Sequence, residues 1–356
     1  MVGPDGALPL PWLDGWLDQA LKSQRGHALL IHGPAGIGQW QLSLTLAQAW
    51  LCQSPTDAGR PCGHCASCRL VQARSHPDLL VLLPEALQAP LGWTVSDGDT
   101  DAAEPGSKSK QPSKEIKVEA VRGAVAFAQT TPARDAGKVV VLHPAERMNG
   151  IAANALLKTL EEPAGSARFI LSCAAPEALL PTIRSRCQAL ALNLPDTAQA
   201  LGWLAGQGVA SPEVALAAAG GQPLDALERV RDGIDARLWS QLPALVLRAD
   251  AAALAGWPVV RVVDALQKLC HDLLCLAVGA APRYFPRDAL GSPPPLGGLL
   301  DWSRELQRLA RQAEHPLNAG LATEALLSRA RQALSGGQGA QSAQAAKRGV
   351  SVHSNP

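Results

Sequence analysis

Residues 32–41 read HGPAGIGQWQ, directly after the apolar run ALLI at 28–31 and directly before LSLTLAQAWL at 42–51. Gly33, four residues and then Gly38 form the frame of a phosphate-binding loop, with Gly36 inside it. In a working loop of this kind, backbone N–H groups cradle the phosphates. A lysine follows the second glycine and reaches the β/γ-phosphates, and a serine or threonine hydroxyl then holds Mg²⁺. Gln39 and Trp40 stand at those two positions. Gln39 brings no charge and Trp40 no oxygen, whereas the glycines still permit a tight turn and close strand–helix packing. The reading is therefore a retained α/β fold whose nucleotide chemistry is lost.

A strand, a glycine turn and a helix open an α/β nucleotide-binding domain. Further short apolar runs flanked by turn residues, DLLVLLP at 78–84, KVVVLHP at 138–144 and ARFILSC at 167–173, suit buried parallel strands of a doubly wound sheet. NALLKTLEE at 154–162 is a helix that buries Leu156, Leu157 and Leu160 and leaves Lys158, Glu161 and Glu162 to solvent. The acidic pair that a P-loop ATPase carries at a strand end, to hold Mg²⁺ and orient water, is replaced after KVVVL by His143 and Pro144. Glu146 and Arg147 beyond them read as an ordinary exposed pair.

Cys52 is followed by CGHCASC, which contains Cys62, Cys65 and Cys68. Four thiols with two CxxC spacings close a tetrahedral zinc site, and full occupancy by cysteine leaves no open position for catalysis. His64 lies inside the knuckle as an alternative to Cys62 or Cys65. Cys173, Cys187, Cys270 and Cys275 lie in apolar or helical contexts and read as core thiols.

The chain has 356 residues, enough for two or three domains, with a formal net charge of +1 that provides no global attraction to nucleic acid or membrane. No signal peptide is visible, and no stretch approaches the roughly 18 consecutive apolar residues of a membrane span, so a cytoplasmic protein is expected. The expected division is an α/β domain over 1–194, with the zinc module at about 52–68 and a flexible polar insertion at about 95–114. A small helical lid over 195–237 and longer helices over 238–335 follow, then a disordered low-complexity tail over 336–356.

NALLKTLEEP at 154–163, with Ser185, Arg186 and Cys187 after LLPTIR, resembles the clamp-loader branch of the AAA+ ATPases. The four-cysteine insertion after the loop helix narrows the resemblance to bacterial clamp-loader subunits, and the decayed loop to their non-hydrolysing kind. The resemblance is clearest over 26–194, and EHPLNAGLATEALL at 314–327 is similar to the end of the family's helical collar. It implies zinc ligands at Cys52, Cys62, Cys65 and Cys68 and no ATP bound by this chain. His143 and Pro144 would stand at the family's Asp-Glu pair, and Cys173 and Ala174 where active relatives carry a polar sensor. Arg186 would be presented across an interface to a neighbour's ATP. The implied partners are the ATP-hydrolysing motor subunits and the delta subunit in a hetero-oligomeric ring, with the sliding clamp and primed DNA reached through that ring. Two other classes stay open: an ATP-hydrolysing subunit of the same fold, and a zinc-dependent DNA-binding protein. Against the second, the knuckle has only Arg60 and Arg69 as basic residues and the chain lacks a basic recognition helix.

Overall fold

The computed structural model of the protein describes residues 1–24, 26–93, 112–134, 136–163, 165–311 and 318–348, with side chains as far as 335. Its contacts divide the chain into two units, 1–203 and 204–356. The first unit runs α1 (Leu13–Ser23), β1 (Ala28–His32), α2 (Gln39–Leu51), α3 (Ala66–Gln72), β2 (Leu79–Leu82), α4 (Glu85–Gln88), α5 (Val118–Gln129), β3 (Val139–Leu142), α6 (Gly150–Glu161), β4 (Arg168–Cys173), α7 (Pro181–Arg184) and β5 (Gln188–Ala191).

The five strands form one parallel sheet in the order β2-β3-β4-β1-β5. The three strands at its centre, β3, β4 and β1, are predominantly apolar and buried because helices cover both faces, leaving no solvent side to favour alternation. β1 lies between β4 and β5, with Leu29 opposite Ile170 on one side and Gln188 on the other. The chain order jumps at this strand, so the glycine loop leaves its carboxyl end in the crevice where α/β sheets bind ligands. Helix α2 is buried along all of its length except Gln41 and Trp50. On one face of the sheet Val140, Leu142, Phe169 and Leu171 pack with Val121 and Ala124 of α5 and with Ala152, Leu156 and Leu160 of α6.

The second unit is all-helical: α8 (Thr197–Gly206), which the division at 203 crosses, α9 (Pro212–Ala218), α10 (Pro223–Arg231), α11 (Ala236–Arg248), α12 (Val259–Ala277), α13 (Leu296–Ala310) and α14 (Ala319–Arg348). Its core is built on Trp239, whose indole stacks on Phe285 with ring centroids 4.5 Å apart. Asp272, fully buried in α12, accepts the backbone N–H groups of Arg283, Tyr284 and Phe285, each at 2.8 Å, and so ties the loop after that helix to the core. The α14 backbone stays helical to Arg348, so the first part of the stretch read as a disordered tail from 336 is helix. Residues 349–356 lie outside the described residues, as does the polar insertion except for 112–114. No helix among the described residues is long and apolar enough to cross a membrane.

Candidate functional site

The glycine loop is shaped by its packing. A Cβ on Gly33 would lie 2.3 Å from the carbonyl oxygen of Leu192, because the chain leaving β5 runs directly over it and Leu192 donates its N–H to His32 O at 2.7 Å. Gly38 caps α2 at φ +110°, and a Cβ there would meet Leu10 Cδ1 at 2.7 Å. The Trp12 indole N–H donates to Ile37 O at 2.7 Å, closing the segment that precedes α1 over the loop. Both glycines are thus demanded by the neighbouring chain itself.

Gln39 is buried, and its amide N–H groups donate back to the loop carbonyls of Gly33, at 2.7 Å, and Pro34, at 2.5 Å. The group that takes the lysine position therefore faces the backbone of its own loop. Trp40, also buried, places its ring 5.3 Å from that of His143 at the end of β3, and meets Trp93 edge-on at 5.8 Å. His143 Nδ1 shares a hydrogen bond with Ser172 Oγ of β4 at 2.9 Å. Burial pulls the His143 pKa down to about 4, so the ring is neutral at pH 7. The two positions that hold Mg²⁺ in a working site are here aromatic groups packed on each other. Trp93 and Ser172 complete this plug; neither carries a motif that singles it out in the sequence.

At the end of β4, Cys173 is buried and its thiol is pushed up to about 12, chiefly by that burial. The N–H groups of Ala174 and Ala175 donate to Glu146 Oε1 at 2.8 and 3.4 Å. Glu146 is therefore not the solvated residue that the sequence suggested but a cap on the backbone after β4. Of the other thiols read as core, Cys270 is buried, whereas Cys187 and Cys275 are partly exposed.

The sulfurs of Cys52, Cys62, Cys65 and Cys68 all lie within 4.8 Å of one another, with Cys52–Cys62 at 3.6 Å, Cys52–Cys65 at 3.8 Å and Cys62–Cys68 at 3.9 Å. A tetrahedron with metal–sulfur bonds of about 2.3 Å has edges of about 3.8 Å, so this cluster is able to hold a metal ion. Cys52 caps the carboxyl end of α2 and Cys65 the amino end of α3. The N–H groups of Cys62, Cys65 and Cys68 point at the sulfurs of Cys52, Cys62 and Cys65 at 3.3–3.4 Å, an arrangement that favours thiolates. Burial raises the Cys52 and Cys68 thiols. At Cys65 burial acts the same way but is outweighed by hydrogen bonds from the Cys68 and Gln53 backbone, and the thiol falls to about 6. His64 Nδ1 instead lies 2.8 Å from Cys62 O. The module is tied to the rest of the unit by Arg60, which pairs with Asp14 and Asp18 of α1, both at 2.6 Å.

Arg186 follows α7 on the way into β5 and is partly exposed. Its Nε donates to Glu161 Oε1 at 2.7 Å, its second terminal nitrogen pairs with the same oxygen, and its first donates to Thr182 O at 2.9 Å and Ser185 Oγ at 3.3 Å. Arg184, two residues earlier, is exposed. Nothing in the spacing of 161 and 186 links them in the sequence.

A parallel sheet of this order, a glycine loop on its central crevice strand and a four-cysteine module after the loop helix define an AAA+ domain of the clamp-loader type. The family model for "DNA polymerase III, delta subunit" matches residues 14–196, just over half of the chain. The DNA polymerase III subunit delta′ of Escherichia coli is 31% identical over 72% of this chain and 76% of its own length. That of Pseudomonas aeruginosa is 41% identical over 61% of this chain, a match that spans 60% of its own length. The chain belongs to the DNA polymerase III delta′ family. Among solved structures, a gamma-subunit-related protein from Thermotoga maritima covers 90% of this chain and 99% of its own at a TM-score of 0.44 and 17% identity.

Proposed function

We propose that this chain is a non-hydrolysing subunit of a bacterial clamp loader, acting as scaffold and arginine donor. The observation that carries the reading is the plugged crevice: Gln39 turned onto its own loop and Trp40 packed on His143. Phosphate recognition relies on charge-assisted hydrogen bonds and on Mg²⁺, and this arrangement offers a neutral amide and an indole in their place. The α/β domain over 1–194 and a lid over 195–237 would keep the shape of the AAA+ unit, and the helices over 238–335 would bind neighbouring subunits. The ring so formed, with ATP-hydrolysing motor subunits and a delta subunit, would load the sliding clamp onto primed DNA in the cytoplasm. Zn²⁺ is the metal that four thiolates and no open position suit best, and its role is structural. Arg186 is the group offered to a neighbour's ATP, for which a permanently charged, planar guanidinium is suited.

Calorimetric titration of the isolated chain with Mg-ATP tests the first part, and no binding in the micromolar range is expected. A clean micromolar isotherm would end the plugged-site reading and favour an ATPase of the same fold. Assembly with motor subunits tests the second: Arg186→Ala is expected to slow clamp-stimulated ATP hydrolysis, with Arg184→Ala at the wild-type rate. Trans arginines contribute on the order of 10³–10⁵ in rate at the site they serve, an upper guide where other sites in the ring still turn over. The DNA-binding alternative is weakened by Arg60, whose charge is committed to Asp14 and Asp18.

A further inference from the structure

Glu161 ends α6 and Arg186 lies at the corner between α7 and β5, yet the two side chains meet in a specific way. One carboxylate oxygen, Oε1, takes both Nε–H and an N–H of the adjacent terminal nitrogen, while the other terminal nitrogen is held by Thr182 O and Ser185 Oγ. A guanidinium has five N–H groups in a rigid plane. Gripping its side edge fixes that plane and leaves an N–H of the end edge for a phosphate oxygen, with the long Ser185 contact the easiest to exchange. We infer that Glu161 is a positioning residue for Arg186, setting the orientation in which the guanidinium meets a neighbouring subunit's nucleotide.

The inference rests on the trans-arginine reading above. Its physical basis is that a free arginine side chain samples many rotamers, and each must be given up before phosphate is bound. An anchor that holds the plane beforehand removes part of that loss from the reacting step. The pair is exposed enough to solvent that its own attraction is weak, so it aligns the guanidinium without locking it away from an incoming anion.

The test has two stages. In the isolated chain, the Arg186 Nε–H resonance should exchange slowly with water, and Glu161→Gln should speed that exchange at unchanged melting temperature. An Nε–H that exchanges at the same rate in both proteins overturns the inference. In the assembled loader, Glu161→Gln should lower kcat for clamp-stimulated ATP hydrolysis by about 3- to 5-fold, the size of a lost exposed charge pair, with KM for ATP nearly unchanged. Combined with Arg186→Ala it should add nothing, since an anchor without its arginine has no further role. A wild-type rate in Glu161→Gln beside a slow Arg186→Ala overturns the positioning role and leaves the trans arginine intact. A faster Glu161→Gln loader overturns it as well, because the pair would then be a brake, and so does an effect that adds to that of Arg186→Ala. A wild-type rate in Arg186→Ala removes the trans-arginine reading itself.

Discussion

Helix α2 carries a different kind of inheritance at each end. At its amino end Gly38 and Gly33 keep the outline of a phosphate cradle, but Gln39 and Trp40 occupy the positions where lysine and hydroxyl side chains would do the chemistry. At its carboxyl end Cys52 begins a cluster in which four thiols converge and the sulfur spacing matches a tetrahedral metal site. The difference follows from what each end supports. The loop holds its shape through backbone and apolar contacts to Leu192, Leu10 and Trp12, so the turn does not depend on a lysine or hydroxyl at 39 and 40. The cysteine module has few apolar residues of its own and closes around the sulfurs, so losing any one donor removes the centre of its packing.

This contrast makes its sharpest claim at the cysteine end. The chain is expected to bind about one zinc, and Cys65→Ser to lose it and to lower stability by on the order of 4 kcal/mol, read by elemental analysis and urea unfolding together. A variant that keeps both its metal and its midpoint would mean that three thiols suffice and the fourth is packing. At the other end of the helix, Trp40→Ala removes the ring from between His143 and Trp93 and should cost about 3 kcal/mol. It should nonetheless gain no micromolar Mg-ATP affinity, because Gln39 still supplies no charge. Measurable ATP binding in that variant would show that the indole alone closes the site.

Gly33→Ala should cost about 2 kcal/mol, since its methyl group would strike a backbone oxygen rather than a side chain that is able to rotate away. Equal stability of the variant and the parent would return the glycine to a phosphate-binding explanation. The smallest effect concerns His143. Its folded pKa of about 4 lies below the ordinary 6.5, so the unfolded chain binds the proton more readily and stability rises with pH between those two values. Acidification from pH 7 to pH 4 should therefore remove about 1–2 kcal/mol through this group, less than the full shift implies because the side chain is not wholly sealed from solvent. His143→Gln should flatten that part of the urea-midpoint profile, and an unchanged slope would assign the acid sensitivity to other groups.

The strands that were legible in the sequence are those largely buried: ALLIH, LLVL, VVVL and RFILSC are mostly apolar because little of either face is left to solvent. β5, QALA, was not legible, since Leu190 alone of its four residues is buried and only pairing with β1 makes it a strand. Helix α5 was overlooked for a related reason: Gly123 interrupts VEAVRGAVAFAQ, and packing against α6 and the sheet sustains it. Glu146 looked solvated because its role, capping two N–H groups 28 and 29 residues away, leaves no trace in local spacing.

The four clustered cysteines, the parallel sheet and the absence of lysine, hydroxyl and acidic pair at the loop and strand end were determined by residue identity alone, because each depends on which functional groups are present and at what separation. Whether the crevice beside the glycine loop is open or filled, and what Arg186 leans on, was decided by the tertiary structure. Trp40 covers His143, and Glu161 grips Arg186, through contacts between residues 103 and 25 positions apart. Such contacts exist only once the sheet has fixed the ends of β3 and β5, and the order of strands in that sheet is a property of packing, not of any one segment.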